Sequence, residues 1–104
     1  MSRLLSGALR STLPKLREQE FSKDPIVHAR FFFPGSGWTW FVTEGESNGD
    51  DFIFFGYVIG FEAEFGSFTL SELEELDIHG VRVEPAQDFE PALLSDCIST
   101  TRFE

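Results

Sequence analysis

Asp51-Phe52-Ile53-Phe54-Phe55-Gly56-Tyr57-Val58-Ile59, residues 51–59, is the stretch that decides the fold. Aromatic and β-branched residues fill it, and such side chains favour a pleated strand over a helix. Alternation sends Phe52, Phe54 and Val58 to one face and Ile53, Phe55, Tyr57 and Ile59 to the other. Both faces are apolar. A strand of this kind is either central in a sheet covered on both sides or keeps one face for a partner. On its N-terminal side, residues 38–43 (Trp-Thr-Trp-Phe-Val-Thr) have the same strand character, and the turn cluster Pro34-Gly35-Ser36-Gly37 joins them in a hairpin to a strand within residues 25–33. Residues 44–50, containing Gly45, Asn48 and Gly49, read as a polar loop. On the C-terminal side, residues 61–68 supply a fourth strand, with Gly60 and Gly66 at turn or bulge positions. Eleven of the 13 Phe lie between Phe21 and Phe68, which puts the packing centre in this strand region.

The flanks read as short helices. Thr69-Leu70-Ser71-Glu72 is a capping box, in which Thr69 caps and Glu72 reaches back, while Phe68 and Leu73 form the hydrophobic staple. Glu72, Glu74 and Glu75 then sit where the helix dipole favours negative charge. This helix ends near residues 77–80, and Val81-Arg82-Val83-Glu84 follows as an edge strand stopped by Pro85. At the other end, Leu5, Ala8, Leu9, Leu13 and Leu16 approach the spacing of one helical face, but Pro14 restricts Leu13, so a short helix ends near Ser11. Asp88-Phe89-Glu90-Pro91 is a turn that pins Phe89, residues 92–98 form a helical turn, and the last few residues fray. The expected fold is α+β, an antiparallel sheet of four to five strands with one short helix before it and one after it. One domain is expected over residues 1–104: helix and connection in 1–20, sheet and second helix in 25–84, tail in 85–104.

At 104 residues and 11.8 kDa, with 41% hydrophobic and 25% charged residues, the chain suits one small domain rather than two. No apolar run is long enough to span a bilayer. The opening Met1-Ser2-Arg3-Leu4-Leu5-Ser6-Gly7-Ala8-Leu9-Arg10 is broken by Ser, Gly and Arg before a signal-peptide core accumulates. The single Cys97 cannot form an internal disulfide. A cytoplasmic location is expected. The net charge of -10 is unevenly spread: residues 1–30 sum to +3, whereas residues 31–104 sum to -13. Such a body repels phosphate backbones, so direct nucleic-acid binding is disfavoured; the charge serves either solubility or a basic partner.

Candidate chemistry is sparse. Glu44, Glu46, Asp50 and Asp51 fall in one loop, yet their spacing does not match the EF-hand pattern, and no metal or cofactor is expected. His28 and His79 lack the neighbours that metal or hydrolase sites need. Cys97 reads as a packed small residue, and Ser36 lacks the spacing and the strand-to-helix context of a nucleophile elbow. Trp38 and Trp40 share a strand face, a pattern that suits a stacking platform or peptide groove as well as sheet core; core is expected of at least one.

Several motifs together carry a family resemblance: Leu13-Pro14, Phe31-Phe32-Phe33-Pro34, Trp38-Thr39-Trp40, Thr43-Glu44-Gly45, Gly49-Asp50-Asp51-Phe52, Phe54-Phe55-Gly56, Gly60-Phe61-Glu62, Glu64-Phe65-Gly66, Phe68-Thr69-Leu70-Ser71-Glu72-Leu73 and Phe89-Glu90-Pro91. From about Leu13 to about Pro91 the chain resembles the family called domain of unknown function 2958. The resemblance implies a mobile-element setting and brings no catalytic residue with it. Two function classes follow. The first is a non-enzymatic acidic interaction protein that inhibits a basic nucleic-acid-handling host protein by nucleic-acid mimicry, of anti-restriction or anti-CRISPR type. Its contact residues would be Glu44, Glu46, Asp50, Asp51, Glu62, Glu64, Glu72, Glu74, Glu75, Trp38 and Trp40, with Glu62 and Glu64 on one strand face and Glu72 and Glu75 on one helical face. The alternative is a small enzyme or ligand-binding domain using the 44–51 loop and the aromatic sheet face.

Overall fold

The structure, a computed structural model, describes residues 3–100. Its order is α1 (Gly7–Thr12), β1 (Ile26–Val27), β2 (Ala29–Phe32), β3 (Thr39–Asn48), β4 (Asp51–Ile59), β5 (Ala63–Thr69), α2 (Leu70–Glu75), β6 (Asp77–Ile78), β7 (Val81–Arg82), β8 (Glu84–Pro85), β9 (Ala92–Leu93) and α3 (Leu94–Thr100). The fold is α+β, with an antiparallel five-stranded sheet in the order β5-β4-β3-β2-β8 and short helices before and after it. Two-stranded pairs, β1 with β9 and β6 with β7, complete it. The fraying expected of the chain end falls on residues 101–104, outside the described residues.

The apolar stretch 51–59 is β4, flanked by β3 and β5, and both of its faces are used. On one face Phe52 and Phe54 join Phe31, Trp40, Val42 and Phe68 in the main core, closed by Leu13 near the end of α1 and Leu73 of α2. Burying each such phenyl ring contributes about 1.5–3 kcal/mol. On the opposite face Phe41 and Val27 pack with Leu94 and Cys97 of α3, and Tyr57 and Ile59 lean on that smaller cluster. Five phenylalanines of the strand region stay outside both: Phe32 and Phe55 are half-buried, and Phe21, Phe61 and Phe65 are exposed.

Residues 44–50 are not a loop. β3 runs to Asn48 in register with Asp51, leaving only Gly49-Asp50 to turn, with Gly49 at φ +62 as a two-residue hairpin connection requires. Polar composition here marks the far end of a hairpin, where strand pairing continues beyond the core. The ladder shifts register between Val42 and Glu44, so Thr43 is an extra residue in a β-bulge. That insertion reverses the alternation: Val42 faces the main core, whereas Glu44 falls opposite Phe55 on the second face. Gly56 lies opposite Val42 beside the bulge, where a Cβ would approach the Phe41 carbonyl oxygen to 1.8 Å.

The expected edge strand at 81–84 is divided. Val81–Arg82 pairs back on Asp77–Ile78 through the turn His79-Gly80, both at positive φ, while Glu84–Pro85 forms the sheet edge beside β2. Pro85 lies within that edge strand, a position where the missing N–H can face outward. The second helix stops at Glu75, short of the expected end near residues 77–80, because Asp77 enters the β6–β7 hairpin and accepts from the Gly80 N–H.

Candidate functional site

The carboxylates read as one surface divide into three settings. Glu44 is only 3% exposed. Its two oxygens accept the N–H groups of Arg17 (2.8 Å) and Gln19 (2.7 Å). Gln19 in turn donates to the carbonyls of Ile26 and Thr43 and accepts from the Ile26 N–H, and Glu46 accepts the Leu16 N–H at 3.1 Å. Glu44 and Glu46 therefore clamp the N-terminal connection onto the second sheet face, and Glu44 cannot contribute to an exposed acidic face. The bulge at Thr43 puts it there.

Asp51 and Glu72 secure α2. Thr69 accepts from the Glu72 N–H and Glu72 accepts from the Thr69 N–H, so the capping box is complete. Asp51 reaches the same helix from β4, accepting the Ser71 O–H at 2.6 Å and the Ser71 N–H at 3.1 Å as well as the Phe52 N–H at 2.8 Å. The Ser71 hydroxyl and then the Phe52 amide hold its carboxyl below the ordinary value of 3.8. Asp50 and Glu75 are exposed and Glu74 is half-buried at this end of the sheet.

Glu62 and Glu64 form the third setting, beyond the opposite end of β5. Glu62 lies in the turn before β5 rather than on the strand, yet both carboxylates line one concavity of about 220 Å³ with Trp38, Val58 and Phe61. Phe61 is 95% exposed, and its ring meets Trp38 edge-on at 5.5 Å and 83°. Gly60 permits this arrangement, since a Cβ there would come within 2.3 Å of the Trp38 ring. Trp40 is core, 5.9 Å from Trp38, whereas Trp38 is half-buried and separates this concavity from an apolar groove of about 270 Å³ lined by Phe33, Ser36, Leu76 and Ile78. Five residue steps along the strand take Glu64 to Thr69, roughly 17 Å, so the Glu62/Glu64 pair and the α2 carboxylates are two acidic patches and not one strip.

A larger concavity, about 460 Å³, opens on the second sheet face between the N-terminal connection (Arg17, Gln19), the bulge (Thr43, Glu44) and the rings of Phe55 and Phe65. Those rings stack at 6.0 Å and 6°. Sequence reading missed this concavity, which depends on the inserted Thr43, and missed Phe61. The available signal for Phe61 was an aromatic in a Gly-Phe-Glu turn with no strand to bury it.

The other single residues have structural settings. Ser36 donates to the Phe33 carbonyl and accepts the Trp38 N–H, which builds the β2–β3 turn. Cys97 is buried, and burial followed by the nearby Asp96 charge pushes its thiol up, away from the nucleophilic thiolate. Burial shifts His28 down, toward the neutral imidazole. Among the described residues no group of three or more His, Cys, Asp or Glu is placed to hold a metal ion, and no helix is long and apolar enough to cross a membrane.

Residues 4–102 match the family described as "Protein of unknown function (DUF2958)", and the chain belongs to that family. No curated protein and no solved structure matches it.

Proposed function

We propose that this member of the family is a non-enzymatic acidic interaction protein, which binds and inhibits a basic nucleic-acid-handling protein by placing carboxylates where phosphates would lie. One observation carries this reading. No Lys or Arg occurs between Arg30 and Arg82, the span that builds β3, β4, β5 and α2, and Arg82 is held by the Glu74 carbonyl at 3.0 Å. Glu62 and Glu64 therefore line a concavity with no cation among its lining residues, whereas at the other end of β5 Arg82 approaches α2 and Arg10 approaches the β3–β4 hairpin, donating to Ser47 at 2.9 Å. A field of one sign steers association with a cationic groove and weakens as salt screens it. In a cytoplasmic, mobile-element setting the partner class is a defence-system subunit, of the kind that anti-restriction and anti-CRISPR proteins block.

The test is capture from a bacterial lysate at low and high salt, with identification of the captured protein and competition by duplex DNA. A nucleic-acid-binding partner, released by salt and displaced by DNA, is the expected result. The variant E62K/E64K/E75K should lose it while keeping its circular dichroism spectrum; Glu72 is left alone because it caps α2. Undiminished capture by that variant, or a partner indifferent to nucleic acid, refutes the reading. The second reading, a small ligand-binding domain or enzyme, draws on the 460 Å³ concavity and its aromatic wall. Counting against acid–base chemistry there, the Glu44 carboxylate is already engaged by two backbone N–H groups.

A further inference from the structure

We propose that the outer edge of β5 is a strand-addition site for an extended segment of the basic partner, one that alternates basic and apolar side chains. This rests on the proposed function and names how the partner is held. β5 is a seven-residue edge strand hydrogen-bonded only to β4 within the sheet, in continuous register from Ile53↔Thr69 to Ile59↔Ala63. It has no Pro, no Lys and no bulge, and of the usual devices that protect an edge from another chain it carries only the single charge of Glu64, which a basic segment neutralises. An added strand would take its affinity from main-chain hydrogen bonds and its specificity from what its alternate side chains meet.

The two faces of β5 offer different surroundings. Beside Glu64 lies the 220 Å³ concavity, with Trp38 and Phe61 as aromatic walls and Glu62 and Glu64 as carboxylates. A guanidinium or ammonium there gains both a ring face and a counter-charge. Beside Phe65 and Ser67, on the other face, lies the 460 Å³ concavity with the Phe55 ring, a surface for apolar side chains. Phe65 itself is 48% exposed. Charge decides between occupants: a second copy would bring together two bodies of net charge -10 with Glu62 and Glu64 near the seam, whereas a basic segment neutralises them.

The probe is a synthetic nine-residue peptide of alternating Lys and Val, compared with the same peptide N-methylated along its pairing edge. N-methylation keeps every side chain and charge while deleting the hydrogen bonds of one edge. Fluorescence anisotropy should show at least a tenfold loss of affinity on N-methylation, and the parent peptide should slow amide exchange in residues 63–69. E62K/E64K should weaken the parent peptide tenfold or more. Equal binding by the two peptides overturns strand addition and leaves the charge-based function standing. Unchanged binding by E62K/E64K overturns the assignment of the basic side chains to the Trp38–Phe61 side. Loss of salt-dependent capture from lysate, with peptide pairing intact, would instead defeat the nucleic-acid-mimic reading.

Discussion

Two aspartates remote from the helices they serve use the same grip. Asp51 takes the N–H and O–H of Ser71, and Asp24 takes those of Ser95, at 2.8 and 2.6 Å; each Ser is the second residue of a helix only six or seven residues long. Helices this short are not stable in isolation, so a fixed first turn decides whether they form. In both cases the Ser hydroxyl is the leading cause that holds the carboxyl below its ordinary 3.8. A folded-state value below the unfolded one means that the unfolded chain takes up the proton first as pH falls. The stabilisation is therefore complete above the unfolded value of 3.8 and is lost as pH drops through the lowered folded values. Urea denaturation of D24N and D51N should give lower midpoints than the parent at pH 7, and the gap should shrink by pH 3. Equal pH 7 midpoints would show that the grips contribute nothing. Thr69→Ala removes one acceptor from the same helix start and should cost on the order of 1 kcal/mol. Asp51 still holds Ser71 in that variant, so the helix signal in circular dichroism should remain.

At the scale of the element, the β3–β4 hairpin is the centre of the molecule and its bulge organises the second face. Glu44→Ala should leave the Arg17 and Gln19 N–H groups without an acceptor, a loss of about 3 kcal/mol. Amide exchange at those two residues should accelerate before any other part of the chain. Gly56→Ala places a methyl against the Phe41 backbone carbonyl, which no rotamer change relieves, so destabilisation of at least about 3 kcal/mol is expected in denaturant titrations. Several elements were legible in sequence: the aromatic alternation of residues 51–59, the turn cluster at 34–37 and the Thr69–Glu72 box all specify their elements locally, whereas the polar far end of the β3–β4 hairpin read as a loop. The bulge was not legible, because a single inserted residue is fixed by pairing across strands and leaves no local composition signal. The consequence reached the candidate site, since Glu44 read as an exposed loop carboxylate and is a buried clamp. Asp24–Ser95 and Trp38–Phe61 are likewise contacts between distant positions, which periodicity does not report.

For the whole molecule, charge and a lightly protected edge act against each other. Net charge of -10 keeps copies apart at neutral pH, while β5 and the exposed Phe61 and Phe65 offer a surface on which copies could pair. Near the sequence pI of about 4.5 that repulsion vanishes. The Asp24 and Asp51 grips are still ionised there, because their carboxyls lie below 3.8, so the fold persists while its colloidal protection is gone. Light scattering should therefore show self-association near pH 4.5 with native circular dichroism, and a monodisperse protein at pH 7 in low salt. Phe65→Lys, a second charge on the edge strand, should suppress the association while lowering stability at pH 7 by only about 1 kcal/mol, because the residue is half-exposed and outside both core clusters and gives up its ring contacts with Phe55 and Tyr57. Association that persists in this variant would place the self-pairing surface elsewhere than β5. Association accompanied by loss of native ellipticity would assign it to acid unfolding instead.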